Sequence, residues 1–235
     1  MLILKDDLNI YGKKVYRYSY DLIHSNMYLM IEQESAVMID CVESEEALQQ
    51  MQDCGVKKIW IFITHEHYDH IQGINYYREH FDCTVMGNAI ALEAIQNPKK
   101  NLAAYLESLL LFRDYPENWR EVYNMPEDYS CVGDRILADR EVLQWEGINF
   151  TYVYTPGHSK GSACIVIGKD YVFTGDTLIL NEDIILRLPG GSKKDYYNKT
   201  LPFLESICET AVIFPGHGES GTKEEFRVSE GDRRG

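Results

Sequence analysis

Residues 57–78 read KKIWIFITHEHYDHIQGINYYR, an apolar run that gives way to three histidines and one aspartate within six positions. The apolar part, 59–63, is β-branched and aromatic with no polar alternation, which predicts a strand buried on both faces. From Asp69 onward apolar residues recur near helical spacing, so a helix is predicted with Asp69 or a neighbour as its N-cap. The polar cluster therefore belongs to a strand-to-helix turn, where ligands bind in open α/β sheets.

The cluster consists of His65, His67, Asp69 and His70, and it holds three of the seven histidines in the chain. This density favours a metal site over a polar surface loop. His65 and His67 can converge on one ion, while Asp69 and His70 can face a second. A helical HExxH zinc site is excluded, because residue 69 is aspartate where that motif requires histidine.

Length and charge narrow the classes of partner. A chain of 235 residues can bury the core of one full domain. The net charge of −14 argues against nucleic acid, because such binding depends on Lys and Arg neutralising phosphates. A small-molecule substrate is the expected partner, and the oligomeric state is left open.

No segment of the sequence predicts a membrane or export function. No apolar run approaches the ~20 residues that span a bilayer. The first ten residues include two acids by residue 7 and do not resemble a signal peptide. We therefore expect a cytoplasmic protein without a membrane partner. The six cysteines are scattered without a CxxC pair, which predicts buried free thiols instead of disulfides.

The first third of the chain predicts a meandering antiparallel sheet and then a helix. Short apolar or alternating runs between polar turns indicate strands at 2–4, 15–20, 27–31 and 36–39. A helix is predicted over 44–54, with Ser44 as its N-cap and Gly55 as its end. Two histidines outside the cluster, His24 and His80, are expected to be structural or solvent-facing.

A mostly helical stretch at about 88–140 separates two αβ-like halves. Leucines at helical spacing predict an amphipathic helix over 101–112, and aromatic residues follow it. Such a helix shows only that one face is buried, so two interpretations stay open: a lid over the site, or a plain packing excursion. Because no linker or repeat interrupts the chain, we expect a single domain over 1–235 that includes this insertion.

Three side chains in the second half repeat the pattern of apolar strand, glycine or proline, and ligand-type residue. Strands are predicted at 149–154, 163–167, 171–174 and 211–214, and a helix over 193–208. His158, Asp176 and His217 lie beyond three of these strands, beside glycines that allow a tight turn. With the first cluster they give five histidines and two aspartates, a donor set that suits two divalent ions.

Taken together, these residues resemble the metallo-β-lactamase superfamily of metallohydrolases. The HxHxDH motif of that family is matched by His65, His67, Asp69 and His70, and its downstream His, Asp and His by His158, Asp176 and His217. Within the superfamily the chain is similar to the glyoxalase II-like branch. That similarity rests on TPGH at 155–158, GDT at 175–177, RLPGG at 187–191 and PGHG at 215–218.

The resemblance implies an α/β protein with a four-layer αββα sandwich and two metals at one edge between the sheets. It also implies metal ligands: His65, His67 and His158 for one ion, Asp69, His70 and His217 for the other, and Asp176 as a bridge. Zinc is the expected metal, with iron or manganese as alternatives.

The expected activity is that of a dinuclear metal-dependent hydrolase. Coordination lowers the pKa of water toward ~7, so a metal-bound hydroxide oriented by Asp69 could attack a polarised carbonyl. By resemblance, the substrate is a small anionic ester-type molecule, in the first place a thioester. Lys160 or Arg187 could hold a carboxylate of that substrate.

Departures from the glyoxalase II-like pattern leave other activities open. Lys160 stands where relatives often have proline. The chain ends soon after His217 and is expected to lack the C-terminal helical domain that helps glyoxalase II bind glutathione. The alternative is a mononuclear iron sulfur (persulfide) dioxygenase that uses three of the same ligands, and a lactonase or phosphoesterase is a further one. Nuclease activity is disfavoured by the acidic charge, and β-lactam hydrolysis by the missing export signal.

Overall fold

Two mixed β-sheets pack face to face, and helices cover their outer surfaces, in a computed structural model that describes residues 8–110 and 127–228. One hydrophobic core lies between the two sheets, and each sheet has one further core against the helices on its outer face. This arrangement confirms the predicted four-layer αββα sandwich. The predicted strand at 2–4 and the end of the predicted helix at 101–112 lie outside the described residues.

The first sheet has seven strands that follow one another in chain order. Its first four strands pair antiparallel, and the next three add in parallel. The strands are β1 (Asn9–Ile10), β2 (Lys13–Ser19), β3 (Asn26–Glu32), β4 (Ser35–Ile39), β5 (Lys58–Phe62), β6 (Asp82–Gly87) and β7 (Arg135–Ile136).

The second sheet has six strands in the order β13-β12-β11-β10-β9-β8. Only β11 and β12 pair in parallel among them. The strands are β8 (Glu141–Trp145), β9 (Ile148–Tyr154), β10 (Ala163–Ile167), β11 (Tyr171–Gly175), β12 (Val212–Pro215) and β13 (Gly221–Thr222). The predicted hairpin turn at 168–170 is confirmed, because Ile167 pairs with Tyr171 across it.

The helices within residues 8–110 and 127–228 are short. They are α1 (Glu45–Asp53), α2 (Ile74–Arg78), α3 (Ala89–Ala94), α4 (Leu106–Leu110), α5 (Lys193–Asp195) and α6 (Leu201–Ser206). A π-helical turn over Tyr196–Thr200 joins α5 to α6, so the predicted helix at 193–208 is continuous but not regular. At α1 the Ser44 side chain accepts a hydrogen bond from the Ala47 N–H at 3.2 Å, as the sequence predicts for an N-cap.

The helix after the histidine cluster differs from its prediction. Residues Tyr68–His70 form a 3-10 turn, and α2 begins only at Ile74. Asp69 is therefore not an N-cap. Its carboxylate instead approaches Nε2 of His70 at 3.2 Å and Nε2 of His217 at 3.3 Å. His70 and His217 thus approach the carboxylate oxygen that would otherwise accept a backbone N–H as an N-cap.

The 88–140 stretch is only partly helical where the structure describes it. It contributes α3, a 3-10 turn over Ala103–Tyr105 and α4, but also the edge strand β7 of the first sheet. Leu106 and Ala103 pack against Leu22 and Tyr68, and Tyr68 lies inside the HxHxDH motif. Residues 111–126 lie outside the part of the chain that the structure describes, so both interpretations, a lid over the site and a plain packing excursion, stay open.

Aromatic side chains from both sheets meet in the central core. Phe62 of β5 stacks on Phe150 of β9 with ring centroids 5.4 Å apart, and both side chains are fully buried. In the second sheet, Phe173 stacks on Phe214 at 4.5 Å. The Phe62–Phe150 contact joins the two sheets whose edges carry the candidate site.

Replacing Phe150 with alanine is expected to lower the free energy of unfolding by about 3–5 kcal/mol. The substitution leaves a cavity between the two sheets, and neither sheet can shift far enough to fill it. Urea unfolding monitored by circular dichroism measures the loss. Val142→Ala on β8 is the control: that side chain is 57% exposed, so its change should stay within about 0.5 kcal/mol. Equal effects of the two changes would contradict the role of the stacked core.

All six cysteines are free thiols, as expected from their spacing. Cys41, Cys131 and Cys164 are buried, whereas Cys54 and Cys208 are exposed. Among the described residues, no helix combines the length and apolar character needed to cross a membrane.

Candidate metal centre

All seven side chains singled out in the sequence meet at one edge of the sandwich. The HxHxDH segment follows β5 of the first sheet, while His158, Asp176 and His217 follow β9, β11 and β12 of the second. An isolated bridge between Ser25 and His217 ties the two edges together. Each functional side chain thus lies just beyond the carboxyl end of a strand, which is where the sandwich leaves room for a ligand.

The first group comprises His65, His67 and His158. Their candidate ligand atoms all lie within 4.8 Å of one another. His158 Nε2 lies 3.1 Å from His67 Nδ1. The three imidazoles are at most 5% exposed, so this group forms the closed floor of the site.

The second group comprises Asp69, His70 and His217, again with ligand atoms within 4.8 Å of one another. His70 is fully buried, whereas the other two are partly exposed. Nε2 of His70 and Nε2 of His217 lie 3.4 Å apart, and they lie 3.2 and 3.3 Å from the same oxygen, Oδ2 of Asp69. This half of the site therefore faces the opening.

Asp176 lies between the two groups. Its Oδ1 is 3.2 Å from His70 Nε2, and its Oδ2 is 3.5 Å from His158 Nε2 and 3.4 Å from His217 Nε2. One carboxylate thus contacts histidines of both groups. A side chain on Gly216 would collide with this arrangement, because its Cβ would lie 2.9 Å from His70 Cε1.

Three buried polar atoms of the two groups and Asp176 have no hydrogen-bond partner in residues 8–110 and 127–228. Within the described part of the chain, Nε2 of His65 and Nε2 of His67 are buried without a hydrogen bond. Asp176 Oδ1 also lacks a well-formed hydrogen bond, although His70 Nε2 approaches it. Unpaired buried polar atoms cost about 1–3 kcal/mol each, so three of them in one cluster fit a site built to hold metal ions.

The opposite ring atoms of four histidines are held by hydrogen bonds. Nδ1 of His70 lies 2.8 Å from Asp40 Oδ2, and Nδ1 of His65 lies 3.0 Å from Thr64 Oγ1. Backbone carbonyls accept hydrogen bonds from Nδ1 of the other two histidines. Ile185 O lies 3.0 Å from Nδ1 of His158, and Ile23 O lies 3.1 Å from Nδ1 of His217. Such partners fix the tautomer and direct Nε2 at a metal.

Asp40 is the residue that the sequence reasoning missed. Its Oδ1 accepts the Thr64 N–H at 2.7 Å, and its Oδ2 accepts the Thr64 hydroxyl at 2.8 Å while facing His70. Asp40, His65 and His70 also form a compact group of possible ligands. Because both Asp40 oxygens are already engaged, we interpret Asp40 as the residue that orients His70. The sequence does carry a sign of this role. Asp40 directly follows the apolar strand β4, just as the other site residues follow apolar strands.

Burial and neighbouring charges divide the histidines into two classes. Burial lowers the pKa of His67 to about 3 and the pKa of His65 well below its usual range, and nearby histidines add to both effects. Burial alone would also lower the pKa of His70, but the carboxylates of Asp69, Asp176 and Asp40 outweigh it and raise that pKa well above its usual value.

The pKa values of the two aspartates, Asp69 and Asp176, are lowered by the same interactions that raise the pKa of His70. Burial alone would raise the pKa of Asp69, but the charge of His70 and hydrogen bonds from His217 and His70 hold it well below its usual range. The pKa of Asp176 is held down in the same way by His217 and His70. Without metal, the second group and Asp176 therefore form a network of two imidazolium ions and two carboxylates.

The remaining predicted residues lie outside this cluster. Lys160 is exposed, two positions after His158, and lines a cavity with Glu66. Arg187 is also exposed and does not line that cavity. His24 and His80 are exposed and belong to none of the three compact groups of possible ligands.

Solved structures share the fold. The B3 metallo-β-lactamase BLEG-1 superposes with a TM-score of 0.71 at 22% identity, covering 90% of this chain and 95% of that chain. The di-iron-bound form of TTHA1623 superposes with a TM-score of 0.69 at 25% identity, covering 89% and 96%.

Curated relatives align over most of the sequence. The probable metallo-hydrolase YqgX of Bacillus subtilis is 27% identical over 199 residues, which are 83% of this chain and 86% of that protein. The hydroxyacylglutathione hydrolase GloC of Haemophilus influenzae is 24% identical over 193 residues, 81% of this chain and 83% of that protein. The family model described as the metallo-beta-lactamase superfamily matches residues 20–217, a range that contains all seven clustered side chains. The chain therefore belongs to the metallo-β-lactamase superfamily.

Proposed function

We propose that this protein is a dinuclear metal-dependent hydrolase whose first substrate class is a thioester. One observation carries the metal part of this proposal: two three-residue groups of ligand type share an edge, and Asp176 contacts both of them. The orphaned ring nitrogens of His65 and His67 support it independently.

The proposed ligands follow the geometry. His65, His67 and His158 would hold one ion, Asp69, His70 and His217 would hold the other, and Asp176 would join them. Imidazole nitrogens with carboxylate oxygens suit zinc first, and also iron or manganese. The di-iron form of TTHA1623 supports keeping iron in the test.

When bound, divalent ions supply Lewis-acid polarisation of a carbonyl and activate water near neutral pH. The residues of the chain supply the rest. The low pKa of Asp69 keeps its carboxylate ionised, so it can accept a hydrogen bond from water and orient that water toward the carbonyl carbon. The leaving thiolate would take its proton from solvent water. Because Asp69 is partly exposed and the first group is closed, substrate would enter from the Asp69 side.

The proposal of a thioester as substrate rests on a curated relative, GloC, as well as on the geometry of the site. GloC, whose name states a thioester hydrolase, aligns over 81% of this chain. A lactonase or phosphoesterase would use the same site, and so would a mononuclear iron persulfide dioxygenase. The test must therefore separate these activities.

Protein purified without added metal is analysed for metal content, loaded with zinc or iron, and assayed on a thioester, a lactone and a phosphate monoester of matched size. We expect about two ions per chain and a kcat/KM that is highest for the thioester. His67→Ala should lose both metal and hydrolysis, whereas His80→Ala, an exposed histidine, should lose neither. Hydrolysis by metal-free protein, a preference for another ester, or oxygen uptake with a persulfide would contradict the proposal.

Binding of a metal ion to the second group is expected to release protons from its histidines. Burial alone would lower the pKa of His217, but Asp176 and Asp69 outweigh it and raise that pKa to about 10 in the absence of metal. Below that pH a proton must leave before Nε2 can bind an ion, so affinity for the second ion should rise as pH increases. The first group should bind almost independently of pH between about 6 and 8, because the pKa of His67 is about 3.

Calorimetric titration in buffers of different ionisation enthalpy counts these protons. At neutral pH we expect about one or two protons released with one ion and almost none with the other. Equal proton release for both ions would contradict the different protonation states of the two groups.

A further inference from the structure

Asn101 is a fully buried polar residue that belongs to neither ligand group. Its side chain is engaged at both ends: Nδ2 donates to Ile95 O at 3.2 Å and to Tyr129 O at 3.0 Å, and Oδ1 accepts the Ala103 N–H at 2.9 Å. These bonds tie the end of α3 to the 3-10 turn over Ala103–Tyr105 and to the chain at residue 129. Because a buried polar group is costly to leave unpaired, the bonds hold the backbone around Asn101 in one conformation.

The backbone of Asn101 is bonded to the metal-binding segment. Its carbonyl accepts the Tyr68 N–H at 2.7 Å. Tyr68 begins the 3-10 turn over Tyr68–His70, which carries two side chains of the second group. A further bond reaches the other end of this turn, where the Tyr129 hydroxyl donates to Ile71 O at 2.7 Å. The turn is therefore held at its start by Asn101 and at its end by a residue whose own carbonyl Asn101 binds.

Apolar side chains pack against the same turn. A small hydrophobic cluster, in which each member is at most 6% exposed, consists of Leu22, Tyr68, Ala103 and Leu106. Leu22 is followed by Ile23, whose carbonyl lies 3.1 Å from Nδ1 of His217. The cluster thus supports the turn that carries two ligands of the second group, and it includes the neighbour of the residue that orients the third.

The first group is held by different contacts. Nδ1 of His65 lies 3.0 Å from Thr64 Oγ1, and Nδ1 of His158 lies 3.0 Å from Ile185 O. Neither contact involves residues 95–106. A disturbance of that segment should therefore affect the second group much more than the first.

We propose that Asn101 is a positioning residue for the second ion, and that residues 95–106 hold the turn that carries Asp69 and His70 in its metal-binding conformation. This inference rests on the two-ion site of the proposed function, but it does not depend on the substrate. It gives part of the 88–140 stretch a role in the metal centre. Asn101 acts on the ligands through the backbone, because its hydrogen bonds to the turn run through the Tyr68 N–H.

Asn101→Ala removes three side-chain hydrogen bonds and is expected to weaken binding of Zn²⁺ to the second group about tenfold, while the first group stays within about twofold of the parent protein. Calorimetric titration measures the two affinities, and nitrogen chemical shifts of His70 and His158 identify the group that each ion fills. Asn97→Ala is the matched control, because this exposed asparagine of the same segment accepts the Lys99 N–H and should bind both ions normally.

Tyr129→Phe is a milder variant that guards against a misfolded Asn101→Ala protein. It removes only the hydroxyl that donates to Ile71 O, so it should weaken the second ion in the same selective way but to a smaller extent. A loss of affinity that is equal for both ions would indicate general destabilisation and would overturn the positioning role.

Hydrogen exchange of the metal-free protein tests the inference without any ion. In Asn101→Ala, peptides covering residues 68–74 are expected to exchange at least about fivefold faster than in the parent protein, whereas peptides from β5 and β10 should be unchanged. A parent protein that binds a single ion would contradict the proposed function, and the exchange of residues 68–74 would still decide this inference. Unchanged exchange there, or faster exchange throughout the chain, would refute it.

Discussion

Asp176→Ala is expected to lower kcat/KM for a thioester by at least about 1000-fold and to reduce bound metal from two ions to one or fewer per chain. The reason is the position of this carboxylate: it lies within 3.5 Å of Nε2 of His70, His158 and His217, which belong to both ligand groups. Removing it also takes away a negative charge that faces both His70 and His217. Two divalent cations brought into the site would then be less completely neutralised.

Metal analysis of the purified variant and steady-state kinetics measure the two effects. Asp53→Ala is the matched control, since it removes an exposed carboxylate at the end of α1 that belongs to none of the groups of possible ligands. Asp176→Asn separates charge from shape, because the amide keeps the volume but cannot bind two cations. A variant with full metal content and normal kinetics would show that Asp176 does not join the two groups.

Much of this site could be predicted because its residues follow a simple rule. His65, His158, Asp176 and His217 each come shortly after a run of apolar residues that forms a buried strand. Strand ends can be recognised from local sequence, and the carboxyl ends of neighbouring strands meet at one edge. The αββα layering followed from the same strands once the family resemblance supplied their order.

Other features depend on contacts between distant parts of the chain. Glu66, for example, accepts hydrogen bonds from Ser159 and Gly161, which lie more than ninety positions away in the sequence. The N-cap prediction at Asp69 was wrong for a similar reason: local propensity favours a cap, but His217, far away in sequence, approaches the same carboxylate. Local patterns carry no information on such competition.

Asp40 shows how a residue outside the ligand set could control the site. It is 2% exposed, has a φ of +58°, and uses both oxygens to hold Thr64 and His70. Asparagine tolerates this left-handed backbone almost as well as aspartate does. The Asp40→Asn substitution therefore changes the hydrogen bonding with little backbone strain.

We expect Asp40→Asn to weaken binding of the ion at the second group by about 10- to 100-fold, with a corresponding loss of hydrolysis at limiting metal. If the amide oxygen keeps the Thr64 N–H, its NH₂ group faces Nδ1 of His70, which must then accept a hydrogen bond. That tautomer places the proton on Nε2, the atom that should bind metal. Metal titration measures the affinity, and nitrogen chemical shifts of His70 report the tautomer. Excess metal should restore much of the activity, which a merely misfolded variant would not show. An unchanged tautomer together with unchanged affinity would mean that His70 is oriented by its packing and not by Asp40.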